Sequence, residues 1–126
     1  MIKGWKVANI SDIGPVKDSW PADWHSIRHF FGIEGFGINA ATKKAGDSIT
    51  PEHDEAGGGQ QEVFVVMQGK AEFTLDGAVV TAGKFDIVYI DPHVRRSAKA
   101  LETPTTVLIV GGTPGKAYKI GKWEKV

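Results

Sequence analysis

The chain reads as an all-β sandwich or barrel, and three observations predict it. Glycine is abundant, at 16 of 126 residues. Short apolar runs of strand length alternate with Gly, Pro, Asn and Asp turn signals, and no long stretch sustains the periodicity of an amphipathic helix. The length suits one domain with a real core rather than two. It divides into an N-terminal arm with edge strands (1–35), a barrel core (36–110) and a tail (111–126).

In order, Trp5 to Ile10 is expected as an edge strand, followed by a Ser-Asp and Gly-Pro loop. Trp20, Pro21 and Trp24 bring aromatic bulk suited to an arm packed over the core. Ser26 to Phe31 and Phe36 to Lys43 read as strands leading to a turn at Gly46-Asp47. Asp76-Gly77, between AEFTL and AVVT, is a hairpin signal, because a tight primed turn needs residues that tolerate positive φ. Ala82-Gly83 turns the chain into a strand from Phe85 to Ile90, and Asp91-Pro92 marks the next corner. Val94 to Ala100 and Thr105 to Val110 are expected to pair around a turn at Glu102 to Pro104. Lysines 116, 119, 122 and 125 recur every third residue, but Gly115 and Gly121 favour a solvated tail anchored by Tyr118 and Trp123 over a helix.

Composition narrows the function. Fifteen basic residues balance 15 acidic ones, which argues against a nucleic-acid or anionic-membrane surface and lowers electrostatic resistance to self-association. With no cysteine there is no disulfide framework, thiol nucleophile or thiolate metal site. The N-terminus, MIKGWKVANI, has no apolar run of signal-peptide length, and no run is long enough to span a bilayer. The expectation is a soluble, cytoplasmic protein.

The chemistry concentrates in residues 46–69, GDSITPEHDEAGGGQQEVFVVMQG. His53 and Glu55 are two apart and project to one side of a strand. Glu62 enters the apolar run Val63 to Met67, where a carboxylate needs a partner or a shifted pKa. Gln60 and Gln61 stand at the mouth, with Gln60 able to orient a ligand. This stretch resembles the first motif of the cupin superfamily: Gly, Pro, His-x-His, Glu and a closing Gly, with Glu55 replacing the second His. The resemblance runs from about Phe36 to Val110. It is closest to small single-domain bacterial cupins, which share the Arg95-Arg96 pair, the GGTPGKAY segment and the late Trp123-Glu124. It implies a cupin-type antiparallel β-barrel (double-stranded β-helix or jelly roll), and a homodimer, since many cupins pair through an N-terminal strand.

In the second cupin motif, aligned with GKFDIVYIDPHVRRS, Arg96 stands where the family has its metal-binding His. A guanidinium has no lone pair to donate, and at about 4 Å and an effective dielectric near 20 it repels a divalent cation by roughly 8 kcal/mol. Two readings follow. In the first, Arg96 shares an inward face with Val94 and Ala98, pairs with Glu62 or Glu55, and makes a metal-free pocket for a small polar or anionic molecule. Phe64, Phe73 and Tyr89 then form the apolar wall, and no cofactor is needed. In the second, His53, Glu55 and Glu62 hold one divalent ion, iron or manganese, with His93 as a poorly placed fourth ligand, as in a cupin dioxygenase or isomerase. Catalysis without metal would use Glu62 or Glu55 as general base and His53 as acid; a structural oligomer with an inactive pocket is a third possibility.

Overall fold

The computed structural model describes residues 4–15, 24–121 and 124. In chain order the elements are β1 (Trp24–Ser26), α1 (Ile27–Phe31), β2 (Gly37–Lys43), β3 (Ser48–His53), β4 (Gln61–Gln68), β5 (Lys70–Leu75), β6 (Ala78–Gly83), β7 (Ile87–Ile90), β8 (Arg96–Ala100) and β9 (Thr105–Gly112). The strands form two antiparallel sheets, of order β1-β2-β9-β4-β7 and β3-β8-β5-β6. Non-consecutive neighbours in both sheets make this a jelly roll rather than a meander.

The core lies between the sheets. Ile49, Phe64, Val66, Phe73, Ile90, Val107 and Ile109 are buried there. Phe64 on β4 meets Phe73 on β5 edge-to-face, with ring centroids 5.4 Å apart, so one aromatic pair joins the two layers. Asp76 and Gly77 both have positive φ, 49° and 85°, the backbone a primed turn requires, and Leu75 registers with Ala78 across it.

Four local expectations are corrected. Trp5 to Ile10 is not a strand; the chain there forms only a 3-10 turn at Ile10–Asp12, capped by the Asn9 side chain. Ser26 to Phe31 is not a strand beyond Ser26. The Ser26 hydroxyl accepts from the His29 amide, and Gly32 closes the turn at φ 70°, so an N-cap and a left-handed C-cap frame one short helix. Phe85, at φ 72°, belongs to the turn before β7. β8 and β9 do not pair with each other: β8 lies between β3 and β5, and β9 between β2 and β4. None of residues 101–104 has the positive φ of a tight hairpin turn, and the chain crosses there from one sheet to the other.

The expectations for Trp20, Pro21 and Trp123 lie outside the described residues. Residues 116–121 contain no helix. No helix among the described residues is long and apolar enough to cross a membrane.

Candidate functional site

β3 and β4 deliver the site. His53 is the last residue of β3 and registers with Arg96 on β8; Glu62 is the second residue of β4. Between them the glycine turn folds back on Glu55, whose carbonyl accepts from the Gly58 and Gly59 amides. The Glu55 amide donates to the Pro92 carbonyl at 2.9 Å, so the corner after β7 fixes where this carboxylate stands.

His53, Glu55 and Glu62 converge, with one ligand-type atom from each lying within 4.8 Å of the others. His53 Nδ1 faces the Pro51 carbonyl at 2.8 Å and Nε2 faces Glu55 Oε2 at 3.0 Å. Both partners accept hydrogen bonds, so only an imidazolium, with two N–H groups, satisfies both. The hydrogen bond to Glu55 is the main cause that raises the His53 pKa above its ordinary value, against the opposing effect of burial.

Glu62 is 8% exposed. Its Oε1 accepts from Arg96 Nη1 at 2.6 Å and its Oε2 from Gln60 Nε2 at 3.1 Å. Burial, reinforced by the nearby Glu55 charge, raises its pKa, and Arg96 only partly counteracts this. Arg96 itself is fully buried. Its Nη2 donates to the Asp91 and Val94 carbonyls and its Nε to Val94, so every guanidinium nitrogen is engaged by protein.

Beside this cluster lies a cavity of about 400 Å³, lined by Trp24, Gly37, Asn39, Thr50, Pro51, His53, Glu55, Gln60, Glu62, Ile109, Gly111, Tyr118, Lys119 and Gly121. Two glycines let its wall side chains pack close to the sheet. A Cβ on Gly37 would stand 2.6 Å from the Tyr118 ring, and one on Gly111 2.7 Å from Gln60 Nε2. Ser26, Arg28 and Glu124 hold the tail that carries Tyr118. Ser26 Oγ donates to Glu124 Oε1 at 2.8 Å and Arg28 Nε to Oε2 at 2.7 Å. The Arg28 guanidinium sits 6.0 Å over the Tyr118 ring. Burial and the Glu124 charge push the Tyr118 pKa up to about 12, which keeps its hydroxyl a donor at any ordinary pH.

Of the residues expected at the site, His53, Glu55, Glu62 and Gln60 line the cavity. Arg96 faces inward as its strand parity predicts, yet it lies behind Glu62 and outside the lining, so it positions a carboxylate rather than meeting a ligand. Phe64 and Phe73 belong to the core below. Tyr89 is 53% exposed, on the outer face of its sheet, where it accepts from Gln61. His93 is exposed and outside the trio. Arg95 is exposed and pairs with Glu52 and Asp54.

Asn39, Lys119 and Arg28 are not singled out by the sequence, and Tyr118 and Glu124, read there as a tail anchor and as part of the family-like tail, belong to the cavity wall and its support. Asn39 carries the signal that singled out Glu62, a polar residue interrupting an apolar strand.

An antiparallel two-sheet barrel with an imidazole and two carboxylates converging at one end of its interior is a cupin-type architecture. The chain belongs to the cupin family: the Cupin domain family matches residues 42–111, more than half of its length. It is similar to a cupin protein from Bacteroides fragilis, with TM-score 0.72, 17% identity, and coverage of 99% of this chain and 98% of that one. A cupin from Desulfovibrio desulfuricans described as rmlc-like matches at TM-score 0.56 and 28% identity over 63% of this chain and 73% of that one. A cupin superfamily protein from Desulfitobacterium hafniense matches at TM-score 0.55 and 16% identity over 63% and 68%. No curated protein sequence matches the chain.

Proposed function

We propose that this cupin barrel binds a small polar molecule in the cavity beside His53, Glu55 and Glu62, and does so without a metal ion. The observation that carries the reading is the Arg96–Glu62 pair. The carboxylate that a cation would need is matched at 2.6 Å by a permanent organic charge and braced on its other oxygen by Gln60. The His53 contact points the same way, since its Nε2 is already engaged by Glu55 at 3.0 Å and would have to give up that hydrogen bond to ligate an ion. With Arg96 sealed behind Glu62, Lys119 and His53 are the cations that face the cavity, so a polar ligand fits better than a strongly anionic one.

A second reading rests on the spacing of the trio and on the Pro51 carbonyl at Nδ1, an outer partner of the kind that metal-bound histidines have. His53 Nε2, Glu55 and Glu62 would then hold iron or manganese, and the ion would supply Lewis acidity to a bound substrate.

Metal analysis of protein purified without an affinity tag separates the two. Substoichiometric content for every divalent ion is expected, together with raised melting midpoints for some members of a panel of sugars, keto acids and carboxylates. A stoichiometric transition metal would overturn the metal-free reading. Arg96→His is expected to raise divalent-metal affinity; an unchanged affinity would mean that Arg96 is not what disfavours the ion.

The barrel is also proposed to pair as a homodimer through the outer face of its larger sheet, where Met67, Ile87 and Tyr89 are 41%, 68% and 53% exposed.

A further inference from the structure

Asn39 Oδ1 is the buried side-chain polar atom left without a hydrogen-bond partner among the described residues. The residue is 5% exposed and lines the cavity. A buried acceptor with no donor is unfavourable, and such a group persists where something else supplies the donor.

Its place in the sheet defines what that donor belongs to. Asn39 on β2 registers with Ile109 on β9, which registers with Phe64 on β4, two positions beyond Glu62 on the same face. Two strand intervals separate Asn39 from β4, on the order of 10 Å. In the row of Glu62 itself the neighbouring positions on β9 and β2 are Gly111 and Gly37. Tyr118 packs directly onto Gly37 and Gln60 onto Gly111. The cavity lined by Asn39, Glu55 and Glu62 runs past these two side chains, so a bound molecule can reach the amide and the carboxylates together.

We propose that Asn39 contacts the ligand and determines its specificity, its Oδ1 accepting from an O–H or N–H group at one end while Glu62 and Glu55 accept from donors at the other. The ligand class is a short molecule with hydroxyl or amino donors at both ends, of polyol size. This rests on the reading of the cavity as a ligand site, and the test is built so that the two can fail separately.

The experiment is side-chain amide NMR of the full chain with two probes of similar length: xylitol, which carries donors throughout, and bis(2-methoxyethyl) ether, which has none. Xylitol is expected to move the Asn39 and Gln60 amide signals saturably, and the ether to leave them in place. Asn39→Leu is expected to weaken xylitol binding, read at Gln60, by roughly tenfold. The same substitution should raise the melting midpoint of the free protein, because it removes an unmatched acceptor at nearly constant volume.

Wild-type affinity in Asn39→Leu would overturn the proposal while leaving the cavity a ligand site. A lowered midpoint in both Asn39→Leu and Asn39→Ala would overturn it too, by making the amide structural. Equal responses to the two probes, or no saturable response to xylitol, would overturn the donor requirement, and the broader compound panel then judges the parent reading independently.

Discussion

Glu62 shows how one residue can be placed by its sequence neighbours while its partners are not. A carboxylate among Val63, Phe64, Val65 and Val66 had to be matched, and the parity of Val94, Arg96 and Ala98 supplied the match. What parity could not supply was depth. Arg96 is held back by the Asp91 and Val94 carbonyls, a backbone feature of the corner that leaves no mark in residue type. His53 and Glu55 are legible from their spacing; Tyr89 faces outward, against the expectation of an apolar wall, because aromatic character alone does not set the side of a strand; and the burial of Asn39 is not marked by the small residues around it. The His53 pair yields a prediction at this scale. Its titration midpoint, followed by imidazole NMR, should lie above 6.5 and should fall in Glu55→Gln. Because the folded pKa is raised, this group adds stability that is fully present below the unfolded value and is lost as pH rises through the folded one. A midpoint unchanged by Glu55→Gln would show that the hydrogen bond is not its cause.

Among the elements, β2 forms where expected, but its side chains do not sort by bulk. Gly37, Asn39 and Ala41 are buried on its inner face, while Ile38 is half-buried and Phe36, just before the strand, is 41% exposed. Small residues point inward because the barrel encloses a cavity at this end, and a rule that sends bulk to the core inverts there. The hairpin at Asp76-Gly77 was legible because its turn chemistry is local; the crossing between β8 and β9 was not, because sheet membership depends on distant partners. The tail segment also gains its order from distant contacts. Glu124 and Arg28 form a buried ion pair with side-chain exposures of 0% and 8%. Removing one partner leaves the other charged and unpaired, so Glu124→Ala should cost about 3–5 kcal/mol in chemical denaturation and should open the wall formed by Tyr118 and Lys119. A loss below about 1 kcal/mol, within the ordinary range for a surface pair, would mean that the tail does not dock this way in solution.

For the whole molecule, the balanced charge and the exposed apolar residues of the larger sheet predict self-association. Light scattering should give twice the 13.6 kDa chain mass, and Ile87→Arg should return the protein to a single chain. A wild-type monomer at micromolar concentration would overturn the paired arrangement.

The Arg96–Glu62 contact matters at this scale as well, since β8 belongs to one sheet and β4 to the other. The aromatic pair Phe64–Phe73 joins the layers in the interior, and this charged clasp joins them at the rim of the cavity. Discharging Glu62 in acid would therefore do more than change the local chemistry. It would relax the separation of the two layers at that rim alone, so that amide exchange quickens first around the corner at residues 91–95 while the far end of the barrel stays closed.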